Sequence, residues 1–156
     1  VLTKLEQAGA DVGTGEDSIT VGRSGPMTPA DVATLPYPGF PTDMQPQFMA
    51  VLAIADGNSV ITENVFENRF IVADEFNRMG ASVTIESHHA LIRGVAELSG
   101  APVRCPDLRA GAALVMAGLV AEGTTTVTDA YHIERGYERF VEKLSAIGGD
   151  VVYADS

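Results

Sequence analysis

Two aspartates and three arginines stand in this chain where their side chains could meet. Asp43 and Asp107 each open an apolar helical stretch. Arg69 and Arg135 recur at one position of a repeated module, and Arg109 follows Asp107 by two residues. A carboxylate at a helix entrance can take a proton, or it can cap the helix by accepting from backbone N–H groups. Guanidinium groups hold a carboxylate or phosphate through two parallel hydrogen bonds, which lysine cannot do. Pro36, Pro38 and Pro41 keep the approach to Asp43 extended and stiff, which fixes where its carboxylate points. For one arginine near a helix start, a solvated charge or a salt bridge to Glu67 or Glu134 is the alternative. Two arginines at the same repeat position count against it.

The module that would position these groups is seen in two long copies, Pro41 to Glu86 and Pro106 to Tyr153. Gly57 falls on Gly123, Ile61 on Val127 and Arg69 on Arg135 at a constant offset of 66 residues. A two-residue insertion then brings Met79-Gly80 onto Ile147-Gly148. The tail of a third copy opens the chain, where Leu5, Gly9 and Val12 match Phe76, Gly80 and Val83. Self-similarity of this kind marks a fold assembled from repeated supersecondary units.

Propensity and periodicity assign the elements. A helix ends at Ala8, with Gly9 as its left-handed terminator. Strands at Ala10–Thr14 and Ser18–Gly22 flank a turn at Gly15-Glu16-Asp17. Turn chemistry fills 23–31, and an extended piece spans Val32–Leu35. A helix capped by Thr42 or Asp43 runs to about Ala55, with Pro46 tolerated in its first turn. Met44, Phe48, Val51, Leu52 and Ala55 form its apolar stripe. A strand at Ser59–Thr62 precedes a helix from about Glu67 to Arg78 that buries Val72, Phe76 and Met79. Strands at Ala81–Glu86 and Ala90–Arg93 follow. The next copy has an extended Pro102–Cys105, a helix from Leu108 to Ala121 capped by Asp107, and a strand at Thr124–Thr128. A helix from Arg135 to Ala146, burying Tyr137, Phe140, Val141, Leu144 and Ile147, leads to a last strand at Val151–Tyr153. The unit is strand, helix, strand, helix, strand, strand, an α/β arrangement of sheets packed on helices. Residues 1–35 end one repeat, 36–100 form the second, and 101–156 most of the third.

Composition narrows the function classes. The chain has 156 residues, 46% of them hydrophobic and 20% charged, as in a globular domain. No apolar run approaches the roughly 18 residues of a membrane helix. The formal charge is −11, with a pI near 4.5, which argues against nucleic acid and anionic membranes as partners. Any anionic substrate must be held by local arginines against that field. One cysteine gives no disulfide framework and suits a reducing compartment. His88, His89 and His132 form no metal-ligand spacing with Cys105, so neither metal nor cofactor is expected. Cys105 reads as a small buried hydrophobe, and His88-His89 as a strand-to-strand turn. Val1 is not an initiator methionine and lies inside a helix, so a fragment or processed chain is expected.

PTDMQPQF, VFENRF, PDLRAGAAL and YHIERGYERF together resemble the UDP-N-acetylglucosamine 1-carboxyvinyltransferase family, the enolpyruvyl transferases of peptidoglycan synthesis. The likeness covers essentially the whole chain, in order and at family spacing. The related shikimate-pathway enolpyruvyl transferases share the repeated fold but are not expected to show PTDMQ or YHIERGYER. The resemblance implies an inside-out α/β barrel of repeated β-α-β-α-β-β units, helices inside and sheets outside, incomplete here. It implies a cytoplasmic enzyme of cell-wall biogenesis, tied to cell shape and division. Its substrates would be UDP-N-acetylglucosamine and phosphoenolpyruvate.

By the same resemblance, Asp43 contacts the sugar nucleotide and is the base. Val65 touches that nucleotide, and Arg135 closes onto phosphoenolpyruvate. Arg69 is a further active-site arginine. Asp107 acts late in the cycle and in domain closure, with capping compatible with both. Leu108 lines the pocket and Arg109 faces the cleft. The helix entrances at Asp43 and Asp107 add partial positive charge there. The second domain is missing, with the Cys or Asp general acid and the lysine and arginine that grip phosphoenolpyruvate, so this chain alone should not catalyse. An incomplete set of repeats should also expose apolar helix faces and drive self-association. The competing reading is a non-catalytic repeat domain that binds a sugar nucleotide or a partner protein.

Overall fold

The computed structural model describes residues 1–154. Helix α1 (Leu2–Gln7) leads into an antiparallel ribbon of β1 (Asp11–Thr14) and β2 (Ile19–Gly22). Strand β3 (Val32–Ala33) precedes a 3-10 turn at Thr42–Met44 and helix α2 (Gln45–Leu52). Then come β4 (Asn58–Thr62), a 3-10 turn at Arg69–Val72, α3 (Ala73–Arg78), β5 (Ser82–Glu86) and β6 (His89–Arg93). The next stretch repeats the order with β7 (Pro102–Arg104), α4 (Leu108–Gly118), β8 (Thr126–Thr128), α5 (Tyr131–Glu134) and α6 (Phe140–Ala146).

The central sheet runs β3-β4-β6-β5. β3 is parallel to β4, whereas β4–β6 and β5–β6 are antiparallel, with Ile61 opposite Ala90 and Val83 opposite Ile92. β7 pairs with β8 in parallel, the equivalent of β3 with β4. Helices α2 and α4 pack on each other in the interior. All of α2 except Val51 is buried, and α4 buries Ala110 through Leu114 and Ala117. Phe48, Met49 and Leu52 supply the volume, so truncating one of them to alanine costs about 2–5 kcal/mol. Helices inside and sheets outside is the inside-out architecture expected. Pro46 sits in the first turn of α2, where its missing N–H costs nothing.

Three expectations are corrected. The helix from Glu67 begins only at Ala73, after a 3-10 turn that holds Arg69. The helix from Arg135 to Ala146 is two short ones. Arg135 ends α5, and Arg139, at φ 49° and ψ 49°, begins α6. Gly136 is a weak helix former, and tertiary contacts decide its conformation: a Cβ there would lie 2.7 Å from a Leu108 methyl. The Tyr137 hydroxyl also accepts from Gln47 Nε2 at 3.2 Å. The strand at Val151–Tyr153 does not form, because no described strand lies beside it to complete a ladder. Of the residues expected to be buried there, Phe140, Val141 and Leu144 are only half-buried, and Ile147 is 83% exposed.

Candidate active site

The extended Pro41 delivers the chain into the turn that carries Asp43. Thr42 or Asp43 was expected to cap, yet neither side chain makes a cap hydrogen bond. The turn is 3-10, and the Met44 amide already reaches the Pro41 carbonyl at 3.0 Å. The Asp43 carboxylate therefore turns to stronger partners. Its Oδ1 lies 2.5 Å from Arg109 Nε and 3.6 Å from Arg69 Nη2. Its Oδ2 has no partner among the described residues, and the side chain is 59% exposed.

The two arginines are held differently. Arg69 is buried; its Nε donates to Thr42 Oγ1 at 3.2 Å, and its guanidinium lies over the Phe66 ring, 4.3 Å from the centroid. The neighbouring Glu67 takes no part. Arg109, in the first turn of α4, is about one-third exposed, and Asp43 is its one side-chain partner among the described residues. Arg69 is thus fixed, whereas Arg109 can leave.

Asp107 caps α4 as expected. Its Oδ1 accepts from the Arg109 and Ala110 amides at 2.8 and 3.0 Å. Leu108 is half-buried against Gly136. Val65 lies beyond β4, is 46% exposed, and its amide donates to Glu63. Arg135 is exposed and makes no ion pair among the described residues. Its neighbours Gly136 and Tyr137 bind its segment to the starts of α4 and α2. The side chains of Asp43, Arg69 and Arg109 are therefore in contact, Asp107 and Leu108 adjoin them in sequence at the start of α4, and only the backbone of Arg135 is brought to them.

Sequence reasoning missed Glu63. It is buried, and its carboxylate accepts from Thr34 Oγ1 at 2.6 Å and Thr42 Oγ1 at 3.0 Å. The amides of Val65 and Phe66 donate to it at 2.9 and 3.0 Å. The signal was present: Ser59, Ile61 and Glu63 share one face of the strand alternation, and the first two are fully buried. Cys105 is buried and donates to the Asp107 carbonyl. Burial first, then the charges of Asp107 and Asp129, push its thiol up to about 11. The expected structural role fits. His88 lies in the β5–β6 turn, as read, and His89 opens β6 beside it.

A helix-filled interior wrapped by sheets is the fold of the enolpyruvyl transferases. The family model described as EPSP synthase (3-phosphoshikimate 1-carboxyvinyltransferase) matches residues 1–144, and the chain belongs to that family. Among curated relatives, UDP-N-acetylglucosamine 1-carboxyvinyltransferase of Desulfofundulus thermocisternus is 53% identical over 97% of this chain and 62% of its own length. The enzyme of that name from Mycobacterium leprae is also 53% identical over 97% of this chain, but over 36% of its own length. The chain thus spans between about a third and three-fifths of these relatives. The crystal structure of the enolpyruvyl transferase NikO from Streptomyces tendae superposes with a TM-score of 0.87 at 31% identity, over 96% of this chain and 35% of that one. EPSP synthase from Acinetobacter baumannii, at 20% identity and a TM-score of 0.71, covers 98% of this chain and 36% of its own and shares the fold.

Proposed function

We propose that this chain is part of a UDP-N-acetylglucosamine 1-carboxyvinyltransferase, which moves the enolpyruvyl group of phosphoenolpyruvate to the 3-hydroxyl of UDP-N-acetylglucosamine in the cytoplasm, at the start of peptidoglycan synthesis. The observation that carries this is the Asp43 carboxylate held between Arg69 and Arg109. Relatives of that name align over nearly the whole chain. No helix among the described residues is long and apolar enough to cross a membrane.

Asp43 takes the proton of the 3-hydroxyl through Oδ2, the oxygen with no protein partner. The sugar oxygen bonds to C2 of phosphoenolpyruvate while C3 takes a proton from an acid on the second domain. The adduct then loses a proton from C3 as the C2–O bond to phosphate breaks. Arg69 stays fixed beside the base. Arg109 releases Oδ1 when anionic substrate arrives, and Arg135 swings from its exposed position onto phosphoenolpyruvate. Leu108 and the backbone at Val65 border the sugar nucleotide. Asp107 keeps Oδ1 on the helix cap and has Oδ2 for the late proton step.

Phosphate release from phosphoenolpyruvate, dependent on UDP-N-acetylglucosamine, tests this reading. The full-length protein that contains this sequence should turn over, and this chain alone should not until the complementary domain is added. Tight association of the two parts without turnover would instead support a non-catalytic binding domain.

A further inference from the structure

We propose that Glu63 is the positioning residue of this site: through the Thr42 hydroxyl and the amides of Val65 and Phe66 it sets where Asp43 and Arg69 stand. The proposal rests on the reading of Asp43 as the base. Glu63 touches neither Asp43 nor Arg69; it acts through its neighbours.

A carboxylate on an inward strand position is costly to bury unless donors surround it. Glu63 has four of them, and they come from three segments of chain. Thr34 follows β3, Thr42 opens the turn of Asp43, and Val65 and Phe66 lead to the turn of Arg69. One side chain thus ties together the segments that deliver the base and its fixed arginine. Thr34 is itself fully buried, and its hydroxyl accepts from the Asn64 amide at 2.9 Å, which closes the network.

Thr42 is the relay. A hydroxyl has one hydrogen to give and lone pairs to accept. It gives the hydrogen to Glu63 Oε2 and accepts from Arg69 Nε at 3.2 Å. Arg69 is thereby anchored by Nε, with Nη2 left for Asp43 at 3.6 Å. An apolar residue at position 63 could fill the same space but could not set the Thr42 rotamer. Oε1 takes Thr34 and the amides of Val65 and Phe66 while Oε2 takes Thr42, so a side chain with one acceptor oxygen could not serve both sets, and the carboxylate supplies geometry for the site.

Steady-state phosphate release by the full-length protein tests this with Thr42→Val, Thr42→Ser and Glu63→Gln. Thr42→Val keeps the side-chain shape and removes the hydroxyl. It should lower kcat about tenfold or more while the KM for phosphoenolpyruvate moves less than about threefold. Thr42→Ser should recover kcat to within about threefold of the parent, because the hydroxyl returns. The Glu63→Gln, Thr42→Val double variant should lose no more than the worse single variant, because both break one relay. Equal losses in Thr42→Val and Thr42→Ser, or no loss in Thr42→Val, overturn the proposal. If Glu63→Gln does not fold, the threonine pair still decides. Asp43→Asn separates the two readings. Full activity there removes the base assignment itself; an inactive Asp43→Asn beside an unaffected Thr42→Val removes only the positioning role.

Discussion

Arg109 Nε meets Asp43 Oδ1 at 2.5 Å across 66 residues of chain, the same offset that relates the two long repeats. The partners are therefore equivalent positions of successive units, one acidic and one basic. Each stands at the start of an interior helix, and α2 and α4 pack on each other. Repetition brings the two helix starts to one place, and divergence at that position supplies opposite charges.

The two arginines on Asp43 should separate stability from turnover. Arg69 is buried and engaged by Thr42, Phe66 and Asp43, so Arg69→Ala removes the donor to the Thr42 hydroxyl, which keeps Glu63, and leaves a void. We expect it to destabilise the fold by about 1–3 kcal/mol in urea unfolding. Arg109 lies on a solvent-screened pair, and Arg109→Ala should change stability by less than about 1 kcal/mol. Both should lower phosphate release about a hundredfold. A stable Arg69→Ala beside an unstable Arg109→Ala would reverse the assignment of fixed and mobile partners.

Cys105 should resist thiol reagents in the folded protein. Its thiol is raised from 9.0 to about 11, chiefly by burial, so almost no thiolate is present at neutral pH. The unfolded chain loses this proton near 9 and the folded chain only near 11, so between those values the unfolded state holds fewer protons. The stabilising term is complete below pH 9, falls through that window, and is gone above about 11. Alkylation followed by mass spectrometry at neutral pH should label the chain in denaturant and leave it unmodified without. Rapid labelling of the native protein would contradict the burial.

This chain, purified alone, should self-associate. Val120, Ile147, Val152 and Tyr153 are all more than half exposed around α4, α6 and the stretch that follows, an apolar area suited to a second copy. Light scattering should show mass rising with concentration. A monomer mass at every concentration would contradict this.

The fold was legible where local rules and burial agree. The apolar spacing of Phe48, Val51 and Leu52 gave α2, although the helix ends at Leu52 rather than near Ala55, and the glycines at 9, 57 and 80 punctuated the first half at positive φ. The second half was harder to read. The apolar spacing from Tyr137 to Ile147 does suit one long helix, but Gly136 packed on Leu108 and the left-handed Arg139 divide it. At the site, repeat position picked out Arg69, and the resemblance carried by PTDMQ and PDLRAG picked out Asp43 and Arg109. Whether Asp43 caps or pairs could not be read, because that depends on Arg109, brought from the next repeat. Glu63 was passed over for a different reason: its alternation with Ser59 and Ile61 was legible, but a charged residue at a strand end reads as solvated until the hydroxyls of Thr34 and Thr42 are seen around it.

The most direct measurement is a crystal structure of the full-length protein bound to UDP-N-acetylglucosamine. The account predicts the sugar 3-hydroxyl about 2.6–3.2 Å from an Asp43 carboxylate oxygen, with Arg69 still against Thr42. A sugar hydroxyl directed away from Asp43, with the nucleotide seated on another face, would contradict it.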